Sequence, residues 1–362
     1  PFFKTLDLKQ QGVEWVYPLV SLAHPLDDQP AVLAYRSLDR TAQSIGADGA
    51  AYQRLMEPLL LRWDQLNRDI MGPLRIPAYP FTLARFGLPA LLSAAGLAEN
   101  RFKQERARAL FAGMAGHSML PLTRFASAAF GLILSLSAHA VGWPVVAGGS
   151  QKIADALLAA LTALGGEVST GWKVASWNEL PPARAYLMDV SPRQLLAIAG
   201  DELGGLYRRQ LARYRYGPGV FKIDWALDGP IPWRDPSVMQ AATVHVGGTL
   251  AEITHSEQNV WQGKHSKKPY VLLVQSSLID GSRAPSGRHT AWAYCHVPPG
   301  STRDMRPAIE AQIERFAPGF RDRVLAVHTT NAAQYEAYNP NYIGGDINAG
   351  VQDFWQFIAR PV

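Results

Sequence analysis

Two glycine-containing sites in this sequence are suited to binding a ligand. The pair Gly148-Gly149 precedes a segment with helical periodicity, and the free amides at a helix N-terminus favour anions. The same pair suits a tight turn between a strand and a helix, and the spacing alone favours the turn. The second site, residues 338–350, combines the run Gly344-Gly345-Asp346 with several asparagines. It fits a capped turn and a ligand-facing loop equally well.

Most motifs that identify an enzyme class are absent from the sequence. It has no P-loop, HExxH, GxSxG or CxxC, and no GxGxxG that opens a βαβ unit. The single cysteine, Cys295, excludes an internal disulfide and a thiolate metal cluster. Asp224 and Asp228 lie on either side of Trp225 in a predicted strand, where we expect them to face solvent or a turn. Four histidines could line a pocket, although a lone histidine is more often structural: His117, His245, His255 and His296.

The composition is that of a globular protein with a large core. Hydrophobic residues make up 48% of the chain and charged residues 18%, which excludes overall disorder. The net charge of +5 is spread over isolated basic residues, so we expect no nucleic-acid partner. Residues 125–141 form an uncharged, mainly apolar stretch of marginal length for a bilayer. We expect it to be a buried helix, and contact with a membrane surface is the alternative.

Hydrophobic periodicity predicts a mostly helical first part and a sheet-rich second part. Residues 1–30 are expected to be largely irregular. The predicted helices are 47–71, 79–95, 101–115, 122–141, 151–164, a helix opened by Ser191-Pro192, 305–316 and 331–338. The predicted strands are 167–170, 172–177, 183–190, 220–227, 241–246, 270–278, 289–297 and 324–330. Together they predict a mixed α/β fold class.

Several runs resemble the phytoene desaturase-like flavoproteins of the flavin amine oxidase superfamily. These runs are 145–157 (VVAGGSQKIADAL) with 165–168 (GGEV), 296–302 (HVPPGST), 309–320 (IEAQIERFAPGF), 339–341 (NPN) and 344–348 (GGDIN). The resemblance is strongest over residues 142–199 and from residue 291 onward. It is closer to an uncharacterised, pyridine nucleotide-disulfide oxidoreductase-like branch than to the carotenoid enzymes.

The resemblance implies a Rossmann-type layer for flavin-adenine dinucleotide (FAD), assembled from separate pieces of chain, and a substrate domain with an antiparallel or mixed sheet and helices. Residues 145–200 would be an internal piece of the FAD domain. Residues 1–144 and 201–340 would be the helical and the sheet-rich parts of the substrate domain. Residues 341–362 would return towards the FAD domain.

The resemblance also implies which residues contact FAD. Gly148 and Gly149 match a turn beside the cofactor, and Val174 matches a strand position that passes the adenine. Gly344, Gly345 and Asp346 match a loop near the flavin ring. The family's glycine-rich βαβ start would precede the first residue of this chain, and a closing flavin segment would follow the last. The resemblance therefore leads us to expect an incomplete chain.

The function implied by the family is a FAD-dependent oxidoreductase of the dehydrogenase or desaturase type. It would transfer a hydride from a lipophilic substrate to the flavin, with no catalytic residue and no metal ligand assigned. The alternatives are a truncated, non-catalytic module that binds an apolar ligand or a protein partner, and a homo-oligomer driven by unpaired strand edges. We expect a cytoplasmic protein, with contact to a membrane surface left open.

Overall fold

The computed structural model describes residues 3, 5–72 and 75–360. Its strands are β1 (Trp15–Val16), β2 (Val20–Leu26), β3 (Gln29–Ala34), β4 (Val145–Val146), β5 (Gly219–Leu227), β6 (Ala241–Val246), β7 (Val271–Val274), β8 (His289–Val297) and β9 (Val324–Thr330). Seven of them form one sheet in the order β3-β2-β6-β7-β8-β5-β9. The β2–β6 pair is parallel and the other pairs in this sheet are antiparallel. Strands β1 and β4 form a separate antiparallel pair.

Fifteen α-helices lie around the sheet in the described part of the chain. Ten of them precede β5 in the chain: α1 (Leu38–Ile45), α2 (Gly49–Leu60), α3 (Trp63–Ile70), α4 (Pro80–Ala90), α5 (Ala94–Arg101), α6 (Glu105–Gly116), α7 (Ala128–Ala140), α8 (Gln151–Ala163), α9 (Pro192–Ala199) and α10 (Gly205–Ala212). The other five are α11 (Leu250–Trp261), α12 (Ser276–Ile279), α13 (Arg306–Phe316), α14 (Ala332–Tyr338) and α15 (Phe354–Ile358).

The sheet separates two hydrophobic cores, because side chains alternate between its faces. On one face, Leu272 of β7 packs with Leu110 and Phe111 of α6 in a core that the early helices fill. On the other face, Leu273 packs in a core that includes Ile309 of α13. One face of the sheet therefore lies against the helices of the first third of the chain.

The predicted mixed α/β fold class is confirmed, and so are most of the predicted elements. The expected helix over 47–71 is divided at Leu61–Arg62 into α2 and α3. The expected helix over 79–95 ends at Ala90, and the Ser93 side chain then caps α5 by accepting from the Gly96 amide. The apolar stretch 125–141 contains α7, whose inner residues are buried as expected.

The strands predicted over 167–170, 172–177 and 183–190 are wrong. A strand needs a neighbour for its backbone groups, and these residues form no ladder with any described strand. They bond locally instead: the Glu179 carboxylate accepts from the Ala175 amide, and the Tyr186 hydroxyl donates to Pro181 O. The predicted strand 270–278 is also too long, because the chain turns into α12 after Val274.

Residues 1–30 were expected to be irregular, yet they contain β2 and the start of β3. Six helices were not predicted: α1, α5, α10, α11, α12 and α15. Among the described residues, none of the helices alone has the length and apolar character to cross a bilayer. The pair α4 and α5, bent by 93°, reaches that length and composition only when the two are taken together.

Candidate functional site

A row of polar side chains crosses the sheet on the face covered by the early helices. Lys222 of β5 lies opposite Tyr294 of β8, and both Tyr294 and His245 of β6 lie opposite Leu272 of β7. Directly opposed residues point to the same side of a sheet, so these side chains share one face. The ring of His24 on β2 meets that of His245 edge-on, with 6.4 Å between their centres. We call this row, together with Trp292 and His296 on the same side of β8, the polar sheet face.

The buried end of the polar sheet face is a histidine cluster. Nε2 of His117, at the end of α6, is 2.9 Å from Nε2 of His245, so one ring donates a hydrogen bond and the other accepts it. Nε2 of His24 donates to the carbonyl oxygen of Gly248 at 2.7 Å. The Nδ1 atoms of His24 and His245 are buried and have no hydrogen-bond partner among the described residues.

Burial keeps these imidazoles neutral. It lowers the pKa of His24 to about 4 and that of His117 to about 3, because the charged ring loses its water. The pKa of His245 is lowered for the same reason, and the neighbouring rings of His117 and His24 lower it further. At neutral pH the cluster therefore works through hydrogen bonds rather than charge.

Two glycines of α6 allow the helix to approach these rings. A Cβ atom at Gly113 would lie 2.5 Å from Nδ1 of His245 and 3.1 Å from Nδ1 of His24. A Cβ atom at Gly116 would lie 2.5 Å from the ring of Tyr270, whose hydroxyl donates to Gly113 O at 2.6 Å. Only a residue without a side chain fits at these two positions.

A second polar pair, His296 and Glu257, lies further along β8. Nδ1 of His296 is 2.7 Å from Oε2 of Glu257 on α11, and both side chains are almost fully buried. The carboxylate holds a proton on Nδ1. Nε2 of His296 and Oε1 of Glu257 have no partner among the described residues. With Nδ1 bonded to Glu257, Nε2 is the ring nitrogen that remains to accept a hydrogen bond from a group that reaches it.

The half-open end of the polar sheet face is aromatic. The rings of Trp292 and Tyr294 are stacked, with 6.3 Å between centres and 11° between planes. Nζ of Lys222 lies 5.6 Å from the centre of the Trp292 ring and pairs with Asp224. Burial and the Asp224 carboxylate raise the pKa of Tyr335 to about 12. The side chains of Trp292, Tyr294 and Lys222, which we call the aromatic shelf, are half-buried and suit a flat apolar group with one polar edge.

A groove of about 420 Å³ continues from Lys222 along β9 and α14. It is lined by Lys222, His328, Thr329, Thr330, Gln334, Tyr335 and Tyr338. Asp224 was expected to face solvent or a turn. Its side chain is 42% exposed and pairs with Lys222, so it faces solvent as expected, although β8 and β9 flank the backbone of β5. Asp228 is exposed just beyond β5, as expected, and it pairs with Arg288.

The Gly148-Gly149 site forms a turn held by the segment after α12. The Gly148 amide donates to Oδ2 of Asp280 at 2.7 Å, and the Arg283 guanidinium donates to Gly148 O at 2.6 Å. Gly149 has φ of 104°, and a Cβ atom there would collide with the Arg283 guanidinium. The hydrogen bonds are those of a tight turn, which is one of the two interpretations left open by the sequence.

The second glycine site, residues 338–350, is hydrogen-bonded to the segment that precedes β5. Asp346 is buried, and its carboxylate accepts from the amides of Gly217, Asn348 and Gly350 at 2.6, 2.8 and 3.0 Å. Gly344 has φ of 65°, a conformation that favours glycine. A Cβ atom at Gly345 would meet the backbone of Ala332 at 2.6 Å. This loop is therefore a capped turn, whatever else it contacts.

The other predicted residues are distributed unevenly. The structure brings His117 and His245 together and places His296 on the same sheet face, but His255 is exposed on α11. Val174 is half-buried in the segment that forms no ladder. Whether it contacts a cofactor stays a prediction, as it does for the two glycine sites.

Sequence reasoning missed the residues that complete the polar sheet face: His24, Lys222, Glu257, Tyr270, Trp292 and Tyr294. One signal could have indicated part of this set. Trp292, Tyr294 and His296 alternate along a predicted strand, and alternation places them on one side of a sheet. No sequence pattern connects His24 to His245, because they are brought together only by the parallel pairing of β2 with β6.

The described residues fit the ring of a flavin better than its phosphates. The aromatic shelf offers two stacked rings and a cation to a flat heterocycle. The Gly148 amide, in contrast, is already bonded to Asp280, and that carboxylate would repel a diphosphate. Among the described residues, the predicted glycine contacts thus form no free phosphate cradle.

No protein-family model and no curated protein matches this sequence. Solved structures do match it. A putrescine oxidase redesigned in its cofactor binding has a TM-score of 0.55 at 14% identity, over 94% of this chain and 77% of that one. An oxidoreductase from Methanosarcina mazei has a TM-score of 0.54 at 16% identity, over 88% of this chain and 70% of that one. At these identities the likeness shows only that this chain shares the fold of these structures.

Proposed function

We propose that this chain functions as a FAD-dependent oxidoreductase of the dehydrogenase or desaturase type, within the phytoene desaturase-like branch, and that it acts on a lipophilic substrate. The observation that carries the proposal is the aromatic shelf, which lies at the half-open end of the polar sheet face. The fold that holds it is similar to that of a putrescine oxidase structure. A bound FAD would supply the acceptor for a hydride taken from the substrate.

The chain's own residues would bind and orient the substrate. Tyr294 would offer apolar ring area to a lipophilic group beside a flavin ring at Trp292, and Lys222 offers a cationic donor at the edge of that area. Helix α6 and the neutral histidines close the buried end, which excludes water from the face. Burial raises the pKa of Tyr294, so its hydroxyl stays protonated and can only share its proton in a hydrogen bond at neutral pH.

His296 is the residue suited to hold a proton released by the substrate. Its Nδ1 is fixed by Glu257, and its Nε2 is free of partners among the described residues. A group that loses a hydride and a proton needs a base within hydrogen-bond reach. We assign this role to Nε2 of His296 as part of the same proposal.

Adding FAD to the purified full chain tests the cofactor. We expect a yellow protein with a perturbed flavin absorbance spectrum. Trp292→Ala should weaken FAD binding and reduce the spectral shift, because it removes one of the two aromatic rings of the shelf. Trp355→Ala is the matched control, since that tryptophan is exposed on α15. If the wild-type protein stays colourless after FAD is added, the proposal is wrong. Binding of an apolar fluorescent probe to that colourless protein, lost in Trp292→Ala, would favour the non-catalytic binding module.

The lipophilic substrate has a separate test. Organic extraction of the native protein, followed by mass spectrometry, should release an apolar molecule from the wild type and less of it from Tyr294→Ala. Equal amounts from the two proteins would place the molecule elsewhere on the surface and contradict the assignment to the shelf.

A further inference from the structure

Large apolar side chains are exposed at several positions between the end of α3 and the end of α4. Met71, Ile76, Phe81 and Leu88 are 70%, 94%, 90% and 75% exposed. Single exposed apolar residues are ordinary, but a group of this size on one segment marks an interaction surface. We call these four residues the α4 surface.

Helix α4 is apolar on two opposite faces, and only one of them has a partner in the fold. Phe86 and Ala90 are buried in the core below the helix. Phe81 and Leu88 are seven residues apart, which is two helical turns, and lie together on the other side. A helix that only covers a core would carry polar residues there.

Residues 75–79, directly before α4, are held against α3. Both carboxylate oxygens of Asp69 on α3 accept backbone hydrogen bonds, from Ala78 at 3.0 Å and from Tyr79 at 2.7 Å. The Arg75 guanidinium also donates to Arg68 O at 2.6 Å. These bonds tie residues 75–79, which include Ile76, to α3 directly before α4 begins, so Ile76 is held close to the helix that carries Phe81 and Leu88.

Positive charge accompanies this surface. Residues 61–92 contain four arginines (Arg62, Arg68, Arg75 and Arg85) against two aspartates (Asp64 and Asp69). Asp69 is engaged by the loop, and Arg85 lies one turn from Phe81 on the exposed side. Apolar side chains with basic neighbours are the pattern of a helix that lies in a membrane interface and pairs with anionic lipid headgroups.

We propose that the α4 surface docks this protein on an anionic lipid bilayer. Helix α4 has 11 residues, about 16 Å of helix, and a bilayer core is about 30 Å thick, so it lies in the interface. A second copy of the chain fits the surface less well. A two-fold dimer through the α4 surface would bring two patches of net positive charge together, whereas anionic headgroups neutralise that charge.

Vesicle flotation with the full-length chain tests this proposal, which goes beyond the proposed redox function. Wild-type protein should float with phosphatidylcholine vesicles that contain phosphatidylglycerol, and much less with pure phosphatidylcholine. The double substitution Phe81→Ser with Leu88→Ser should weaken binding at least about tenfold, because it removes two insertable side chains. Arg85→Gln should weaken binding most at low salt.

The matched control is Leu164→Ser with Leu187→Ser, two leucines that are 86% and 96% exposed elsewhere. It should bind vesicles like the wild type, and all variants should melt like the wild type because the altered side chains are exposed. Equal binding by the two double variants, or no binding by the wild type, overturns the proposal. If the wild type is a dimer in light scattering and the Phe81/Leu88 variant is a monomer, the α4 surface is an interface between copies and the proposal is wrong.

Discussion

Two glycines and a set of neutral imidazoles define the buried end of the polar sheet face. Gly113 gives α6 its close approach to the sheet, and the approach in turn removes water from His24 and His245. The low pKa values of the histidines are thus a consequence of how the helix packs. Both features can be tested one residue at a time.

Gly113→Ala should destabilise the protein by about 1–3 kcal/mol, because its methyl group would overlap the His245 ring and force α6 outward. Urea unfolding followed by circular dichroism measures the change. Gly87→Ala is the matched control: it is also a helical glycine, but a Cβ atom there meets nothing within 4 Å. That substitution should leave stability unchanged or raise it by up to about 1 kcal/mol. Equal effects at the two positions would contradict the close approach.

Acid should destabilise the native state through the histidine cluster. In the unfolded chain His24 has its ordinary pKa near 6.5, and in the folded chain its pKa is about 4. Between these pH values the unfolded chain binds more protons, so stability is full above pH 6.5 and falls as the pH falls towards 4. For His24 alone the loss is about 3 kcal/mol.

His24→Gln should flatten this pH dependence, since its amide can still donate to Gly248 O and cannot be protonated in this range. Urea unfolding between pH 4 and pH 7 measures it. His328→Gln, at an exposed histidine of β9, should keep the wild-type slope. If the stability of the His24→Gln protein depends on pH as steeply as that of the wild type, the histidine cluster does not cause the acid destabilisation.

At the scale of elements, the sequence predicted the helices and strands whose apolar residues follow a regular local spacing. Strands β5, β6, β8 and β9 were found because their apolar residues alternate, and α8 was found from its apolar stripe. Strand β2 was missed because it contains Pro25, and proline lowers the expectation of a strand. Helix α11 was missed because it buries the polar Ser256 and Glu257 beside few apolar residues. The segments after α8 were predicted as strands because pattern alone cannot show whether a neighbouring strand is present.

Helix α11 positions Glu257 and is held at its start by a capping box. The Thr249 side chain accepts from the Glu252 amide, and the Glu252 side chain accepts from the Thr249 amide. Thr249→Ala should cost about 1 kcal/mol of stability. Ser150→Ala is the control, because Ser150 stands at the N-cap of α8 without a side-chain capping bond, and it should change stability by a few tenths of a kcal/mol at most. Thermal unfolding of both variants distinguishes the two caps, and equal melting temperatures would contradict the role of the box.

At the scale of the whole molecule, one sheet joins distant parts of the chain. Its strands come from residues 20–34 and from residues 219–330, so the predicted helical and sheet-rich parts of the substrate domain share a core. Residues 145–200 contribute no strand to this sheet. Their assignment to a flavin layer stays a prediction, and it can be tested by following backbone protection along the chain.

Hydrogen exchange read by mass spectrometry should separate these parts. Backbone amides without ladder bonds exchange quickly, whereas those in a central sheet are protected. We therefore expect rapid exchange over residues 167–190 and slow exchange in β7 and β8, with no cofactor added. If residues 145–200 are a piece of a FAD-binding layer, FAD should slow exchange there and change it little in β6, the strand that carries His245. If FAD slows exchange only in other segments and leaves residues 145–200 unchanged, the domain assignment is contradicted. The aromatic shelf could still be the ligand site in that case.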